Sequence, residues 1–99
     1  MKEQFTTTVH VSGSGDSKAK AFSDALSRVQ STVLRATDKV LLRIEPQDVN
    51  VLRAQEQVKN EKFLFFFLAR QRRYYRVELE ITVSVTAIDI QSVTFTTTE

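Results

Sequence analysis

The sequence contains no cysteine, no tryptophan, one proline, one histidine and two glycines in 99 residues. Without cysteine there is neither a disulfide framework nor a thiolate metal site. A small domain that forgoes disulfides suits a reducing compartment. A lone histidine leaves any metal site to carboxylates. No apolar run approaches the roughly 20 residues needed to span a bilayer as a helix. The opening MKEQFTTTVHV lacks the apolar core of a secretory signal. The expected location is therefore the cytoplasm. Charge of one sign is also scarce. Fourteen Lys and Arg against twelve Asp and Glu leave a net +2, too little to imply nucleic acid unless the cations cluster.

What is present reads as a globular chain. Hydrophobic residues make up 41% and charged residues 26%, ordinary values for a folded domain. The length suits one domain over residues 1–99, with a modest core that self-association would help. Residues 5–12 alternate, with Phe5, Thr7, Val9 and Val11 on one face, the period of a half-buried strand. Ser12–Ser17 holds both glycines and reads as a turn, with Asp16 or Ser17 available to cap a helix. Phe22, Ala25, Leu26, Val29 and Val33 then recur at helical spacing, predicting one amphipathic helix from about Ser17 to Ala36.

Residues 40–58 are extended but irregular. Pro46 marks an edge or a bend. The parity change from Val51 to Leu52 suggests a bulge, and the main second strand is expected near 48–58. Residues 73–87 alternate without a break. Tyr75, Val77, Leu79, Ile81, Val83, Val85 and Ala87 share one face, which predicts a long strand. Val93 and Phe95 are candidates for a short final strand. The fold class is α+β, with element order β-α-β-β and one helix on an antiparallel sheet of three long strands. Strands this long exceed what one helix covers, so a homo-oligomer is expected.

The segment from Lys62 to Arg76 breaks these patterns. Phe63, Leu64, Phe65, Phe66, Phe67, Leu68 and Ala69 run without alternation, and Arg70, Arg72, Arg73 and Arg76 follow with Tyr74 and Tyr75. One reading is a strand buried on both faces or sealed in a subunit interface, with Arg70–Arg73 as the hairpin turn. That turn would lack the usual Gly, Asn or Asp. The other reading is a docking surface. Aromatics followed by arginines suit an anionic membrane face or a membrane-protein partner. Its candidate residues are Phe63, Phe65, Phe66, Phe67, Arg70, Arg72, Arg73 and Tyr74. Nucleic acid ranks lower, because the arginines are few and Glu78 and Glu80 share the face of Arg76.

Residues for catalysis are sparse. His10 lies on the polar face of the first strand with no nucleophile beside it in sequence. Glu78 and Glu80 lie two apart on one strand face, where paired carboxylates serve solvation and cross-strand pairing more often than acid–base work. Gly13-Ser14-Gly15 precedes a helix but is not the full dinucleotide-binding pattern. No enzyme activity, cofactor or metal is expected.

The stretches VHVSGSGDSKAKAFSDALSRVQ, LLRIEPQDVNV, FLFFF and YRVELEITVSVTAID resemble one family of short uncharacterised bacterial proteins. The resemblance spans nearly the whole chain. Members are encoded beside predicted multi-span membrane proteins and sugar-acid enzymes. It implies a soluble accessory part of a membrane transport system and names no catalytic residue. A second resemblance is architectural. Strand, Gly-Ser turn, Ala-rich helix and two long strands are similar to dodecins, small flavin-binding oligomers. That similarity implies, as the alternative function, a small-molecule binding or storage module. The chain departs from dodecins in having no tryptophan to stack on a flavin and in its Phe-rich segment.

Overall fold

The computed structural model describes residues 1–62 and 69–99, with side chains for 1–60 and 71–99. Strand β1 spans Lys2–Gly15, β2 Val40–Lys62 and β3 Ala69–Ile88, with helices α1 Lys18–Leu26 and α2 Val29–Ala36 between β1 and β2. A short 3-10 turn, Ile90–Ser92, follows β3. The sheet is antiparallel in the order β1-β3-β2. This is the expected α+β arrangement. Among the described residues no fourth strand forms: Val93 to Glu99 have no regular structure, and Phe95 is 80% exposed.

β3 is central because its alternation is the most complete. Val77, Leu79, Ile81, Val83, Val85 and Ala87 are all buried on the helix side. β1 lays Val9 opposite Ile81 and Val11 opposite Leu79. β2 lies at the other edge, where Pro46 costs no ladder hydrogen bond. Its register shifts between Leu41 and Arg43, Pro46 and Asp48, and Val51 and Arg53. The last is the bulge that the parity change at Leu52 predicts. β2 is much longer than expected, because it stays paired with β3 out to Lys62 opposite Ala69.

Two helical readings change in detail. Ser17 does cap α1, its side chain accepting from the Lys20 N–H at 3.1 Å. The helical run, however, breaks at Ser27–Arg28. The Ser27 hydroxyl donates to the Asp24 carbonyl at 2.6 Å, and the Arg28 N–H donates to the Ala25 carbonyl at 3.1 Å. Such local bonds compete with the regular helical ladder. The buried stripe is Ala21, Ala25, Val29 and Val33, whereas Leu26 is 40% exposed.

The glycines are not a turn. Gly13 and Gly15 belong to β1, and neither has a positive φ. Gly13 is needed for contact: a Cβ there would lie 2.2 Å from the Ala25 backbone N and 2.4 Å from the Ala21 carbonyl O. Its missing side chain lets α1 rest directly on the strand. The Ser14 N–H beside it donates to the Asp24 carboxylate at 3.0 Å. This bond, and then the Arg28 guanidinium at 3.3 Å, holds the Asp24 carboxyl below its ordinary 3.8.

A group depressed in the fold adds stability above its unfolded value and loses it as pH falls through the folded one. Asp24→Asn is therefore expected to lower the urea midpoint at neutral pH. The variant should also lose less stability than the wild type between about pH 5 and pH 2. Equal acid slopes in the two proteins would show that Asp24 contributes nothing to the pH dependence.

Candidate functional site

The helices cover only part of the sheet. In the rung Val11–Leu79–Val51, exposure runs from 7% on β1 to 0% on β3 to 47% on β2. In the rung Val9–Ile81–Val49 it runs 6%, 0% and 43%. Every residue from Glu45 to Asn60 is exposed. β2 thus completes the ladder of β3, but nothing in the chain roofs it.

The bare face is apolar. By register, Leu41, Ile44, Pro46, Val49, Val51 and Ala54 stand beside the buried row of β3, and none carries charge; Leu41 and Ile44 are partly buried against the core, whereas Pro46 to Ala54 are exposed. Two separate hollows lie between β2 and the helices. At one end a hollow of about 230 Å³ lies between Phe22 of α1 and Ala54, Gln55 and Glu56 of β2. At the other, Gln30 of α2 lines a hollow of about 160 Å³ with Leu41–Ile44. Leu26 sits one helical turn from Phe22 and Leu34 one turn from Gln30, 40% and 47% exposed respectively. Sequence periodicity flagged Leu26 as core. It could not show that this position is left exposed.

A second feature is the β2–β3 ribbon. β1 ends its pairing at Gly15 opposite Tyr75, so beyond Tyr75 only two strands continue, to Lys62 opposite Ala69. This two-strand extension is about 20 Å long at 3.3 Å per residue. Arg70, Gln71, Arg72 and Arg73 are strand residues in it, not a hairpin turn. The strand chemistry explains why no Gly, Asn or Asp is present there. The Glu56 carboxylate accepts from Arg73 and from the Tyr75 hydroxyl, both at 3.3 Å. The Lys59 ammonium sits 5.6 Å from the centre of the Tyr74 ring. Arg72, Arg73 and Tyr74 are all exposed. Phe63, Phe65, Phe66 and Phe67 lie outside the described residues, as does the Arg70 side chain. Residues 57–74 carry five cations and one carboxylate, a net +4 against +2 for the whole chain. The rest of the molecule is thus net −2.

The catalytic candidates lie elsewhere, on the outer sheet face. His10 and Glu80 meet directly across strands, Nε2 to Oε2 at 3.2 Å. Glu78 is opposite Ser12 and Arg53. The His10 side chain is 68% exposed, and the pair sits on the ladder surface rather than in a cleft. Among the described residues no group of three or more His, Asp or Glu is placed to hold a metal. No helix among them is long and apolar enough to cross a membrane.

The family model described as a domain of unknown function (DUF4312) matches residues 5–88. The chain belongs to this family. The match begins in β1 and ends with β3, so it takes in both helices and all of the sheet except the first three residues of β1. No curated protein and no solved structure matches the chain. The comparison with dodecins therefore rests on element order.

Proposed function

We propose that this DUF4312 protein is a non-catalytic, self-associating accessory protein that docks to a membrane transport component through segment 63–76. The observation that supports it is the ribbon. It concentrates a net +4 in residues 57–74 and carries them beyond the helix-covered body. The apolar sequence Phe63–Leu68 connects its two strands. A cationic arm with an aromatic-rich connection suits an acidic, partly apolar receptor at the cytoplasmic face of a membrane. The family resemblance to proteins encoded beside multi-span membrane proteins favours a protein receptor. The flavin-type alternative draws on element order. A hollow of about 550 Å³ lined by Gln55, Gln57, Tyr74 and Tyr75 has the volume of a small-molecule site, about 300–1,000 Å³, but it lies at the base of the ribbon with Gln55, Gln57 and Tyr74 exposed.

The test is sedimentation of the purified protein with membranes from its own source. Binding is expected, weakening as salt rises. The double variant Arg72→Glu/Arg73→Glu should bind at least about tenfold more weakly, given about 1 kcal/mol per cation near an anionic surface. Absence of membrane binding overturns the reading. Equal binding to protein-free vesicles containing phosphatidylserine would overturn the protein receptor and make lipid the target.

A further inference from the structure

We infer that the free edge of β1 is an isologous interface, extended across a two-fold axis by β1 of a second copy of this chain. This deepens the self-association half of the reading above and rests on it.

β1 is an edge strand, paired with β3 on one side only. In an antiparallel ladder the N–H and C=O of one residue point to the same side, and the side alternates along the strand. Two bonds fix the parity here. The Met1 C=O accepts from the Asp89 N–H at 3.0 Å, just past the end of β3, so odd-numbered residues point toward β3. The Ser14 N–H donates to Asp24 of α1 at 3.0 Å, so even-numbered residues point outward. Gln4, Thr6, Thr8 and His10 therefore aim both main-chain groups away from the sheet. All four are exposed, and among the described residues no helix or side chain bonds to those groups. Donors and acceptors at strand spacing are the template on which another extended strand pairs.

The two edges of the sheet differ. On β2, Pro46 and three register shifts interrupt the edge, and Arg43, Glu45, Asp48 and Arg53 place charges along it. Nearby side chains also take up its main-chain groups. The Val49 N–H donates to Asp48 at 2.9 Å, and the Glu45 C=O accepts from Gln47 at 3.4 Å. These are the devices that block strand addition. β1 has none of them between Gln4 and His10. Its register with β3 runs from Lys2 to Gly15 without a shift, and residues 4–15 hold no proline and no Asp, Glu, Lys or Arg. Strand addition therefore has one open edge. Pairing of β1 with β1 closes at two copies, whereas a β1–β2 contact would continue as a filament.

The sequence of β1 is complementary to itself. With the axis at Thr8, antiparallel pairing sets Gln4 opposite the partner's Ser12, Phe5 opposite the partner's Val11, Thr6 opposite the partner's His10 and Thr7 opposite the partner's Val9. The even-numbered pairs exchange both main-chain bonds, as hydrogen-bonded pairs do. Phe5, only partly buried against the core, gains an apolar cross-strand neighbour, and no charge faces a like charge. Asp24, already bonded to the Ser14 N–H, ends the ladder at Ser12. The axis stands perpendicular to the sheet, so the helices of both copies lie on one side, and the joined sheet reads β2-β3-β1-β1-β3-β2.

Light scattering on the size-excluded full chain should give at least twice 11.3 kDa. Thr8→Pro removes an outward N–H, which an edge strand tolerates. Circular dichroism should therefore be unchanged while association weakens at least about 100-fold. In the wild-type dimer the Thr6, Thr8 and His10 amides should exchange with deuterium at least about 100-fold slower than the Thr97 amide, which lies in the irregular C-terminal stretch. The exchange readout stands even if Thr8→Pro fails to fold. A dimer with those amides unprotected, or one that a folded Thr8→Pro leaves intact, overturns the edge pairing and leaves self-association standing. A monomeric wild type overturns both. An intact dimer that does not bind membranes overturns docking and leaves this interface standing.

Discussion

Replacing Gly13 by valine is expected to abolish the native fold. Even the Cβ common to all larger residues would sit 2.2 Å from the Ala25 N, 2.4 Å from the Ala21 O and 2.8 Å from the Ala25 Cα. All three are backbone atoms of α1, so no rotamer change relieves the clash. The helix would have to rise as a unit, withdrawing Ala21 and Ala25 from positions that are now 0% exposed. Overpacking a core typically costs about 1–3 kcal/mol, and here relief requires moving a whole element. The lower end of domain stability is about 5 kcal/mol. Gly13→Ala should already lower the urea midpoint strongly, and Gly13→Val should leave little folded protein. Gly15→Ala should cost less, because its approaches to α1 are longer, 2.6 Å to the Lys20 Cβ and 2.9 Å to the Ala21 N, and fall in the first turn of the helix. Far-ultraviolet circular dichroism in urea measures all three. A wild-type midpoint for Gly13→Ala would mean that α1 does not rest on β1 as described.

Leu79→Ala should cost about 2–5 kcal/mol, the range for deleting most of a buried leucine. Leu79 is fully buried at the centre of the sheet, between Val11 and Val51 in register. Its neighbours Val77 and Ile81 are also buried, so the cavity has little freedom to collapse. Val51→Ala on the same rung is the informative companion. With 47% exposure in the single chain, it should cost little if the subunit stands alone. It should cost more, and more so at high protein concentration, if a second copy covers it, because the contact stabilises the fold only where the dimer is populated. Chemical denaturation at two protein concentrations separates these cases. A Leu79→Ala cost well under 1 kcal/mol would contradict the central place of β3 in the core.

The readings that the structure supports come from local rules. β3 was legible because its seven-residue alternation leaves one face wholly apolar, and such a face must be buried. Ser17 was legible as a cap, and the bulge at Leu52 as a parity change. The glycines were misread as a turn. Gly-Ser sequences suit turns, but the demand on Gly13 comes from a helix eight to twelve residues later, which no local window contains. Leu26 was misassigned to the core because periodicity gives the apolar stripe of a helix and not how far its neighbour reaches. Arg70–Arg73 were read as a possible turn because the pairing partner of a strand end is invisible in its own sequence. His10 and Glu80 were singled out separately, and only the register brings them together, on an exposed face.

Sequence by itself determined the α+β class, the order of elements and the central strand, since each follows from side-chain periodicity and backbone propensity within a few residues. It also determined the concentration of cations beside the Phe-rich segment. Tertiary structure decided how far the helices extend across the sheet, and so which apolar residues are roofed and which are left for another surface. The physical reason is that burial belongs to pairs of surfaces. A valine on β2 and a valine on β3 obey the same local rules, and only the position of α1 and α2 above them makes one core and leaves the other exposed.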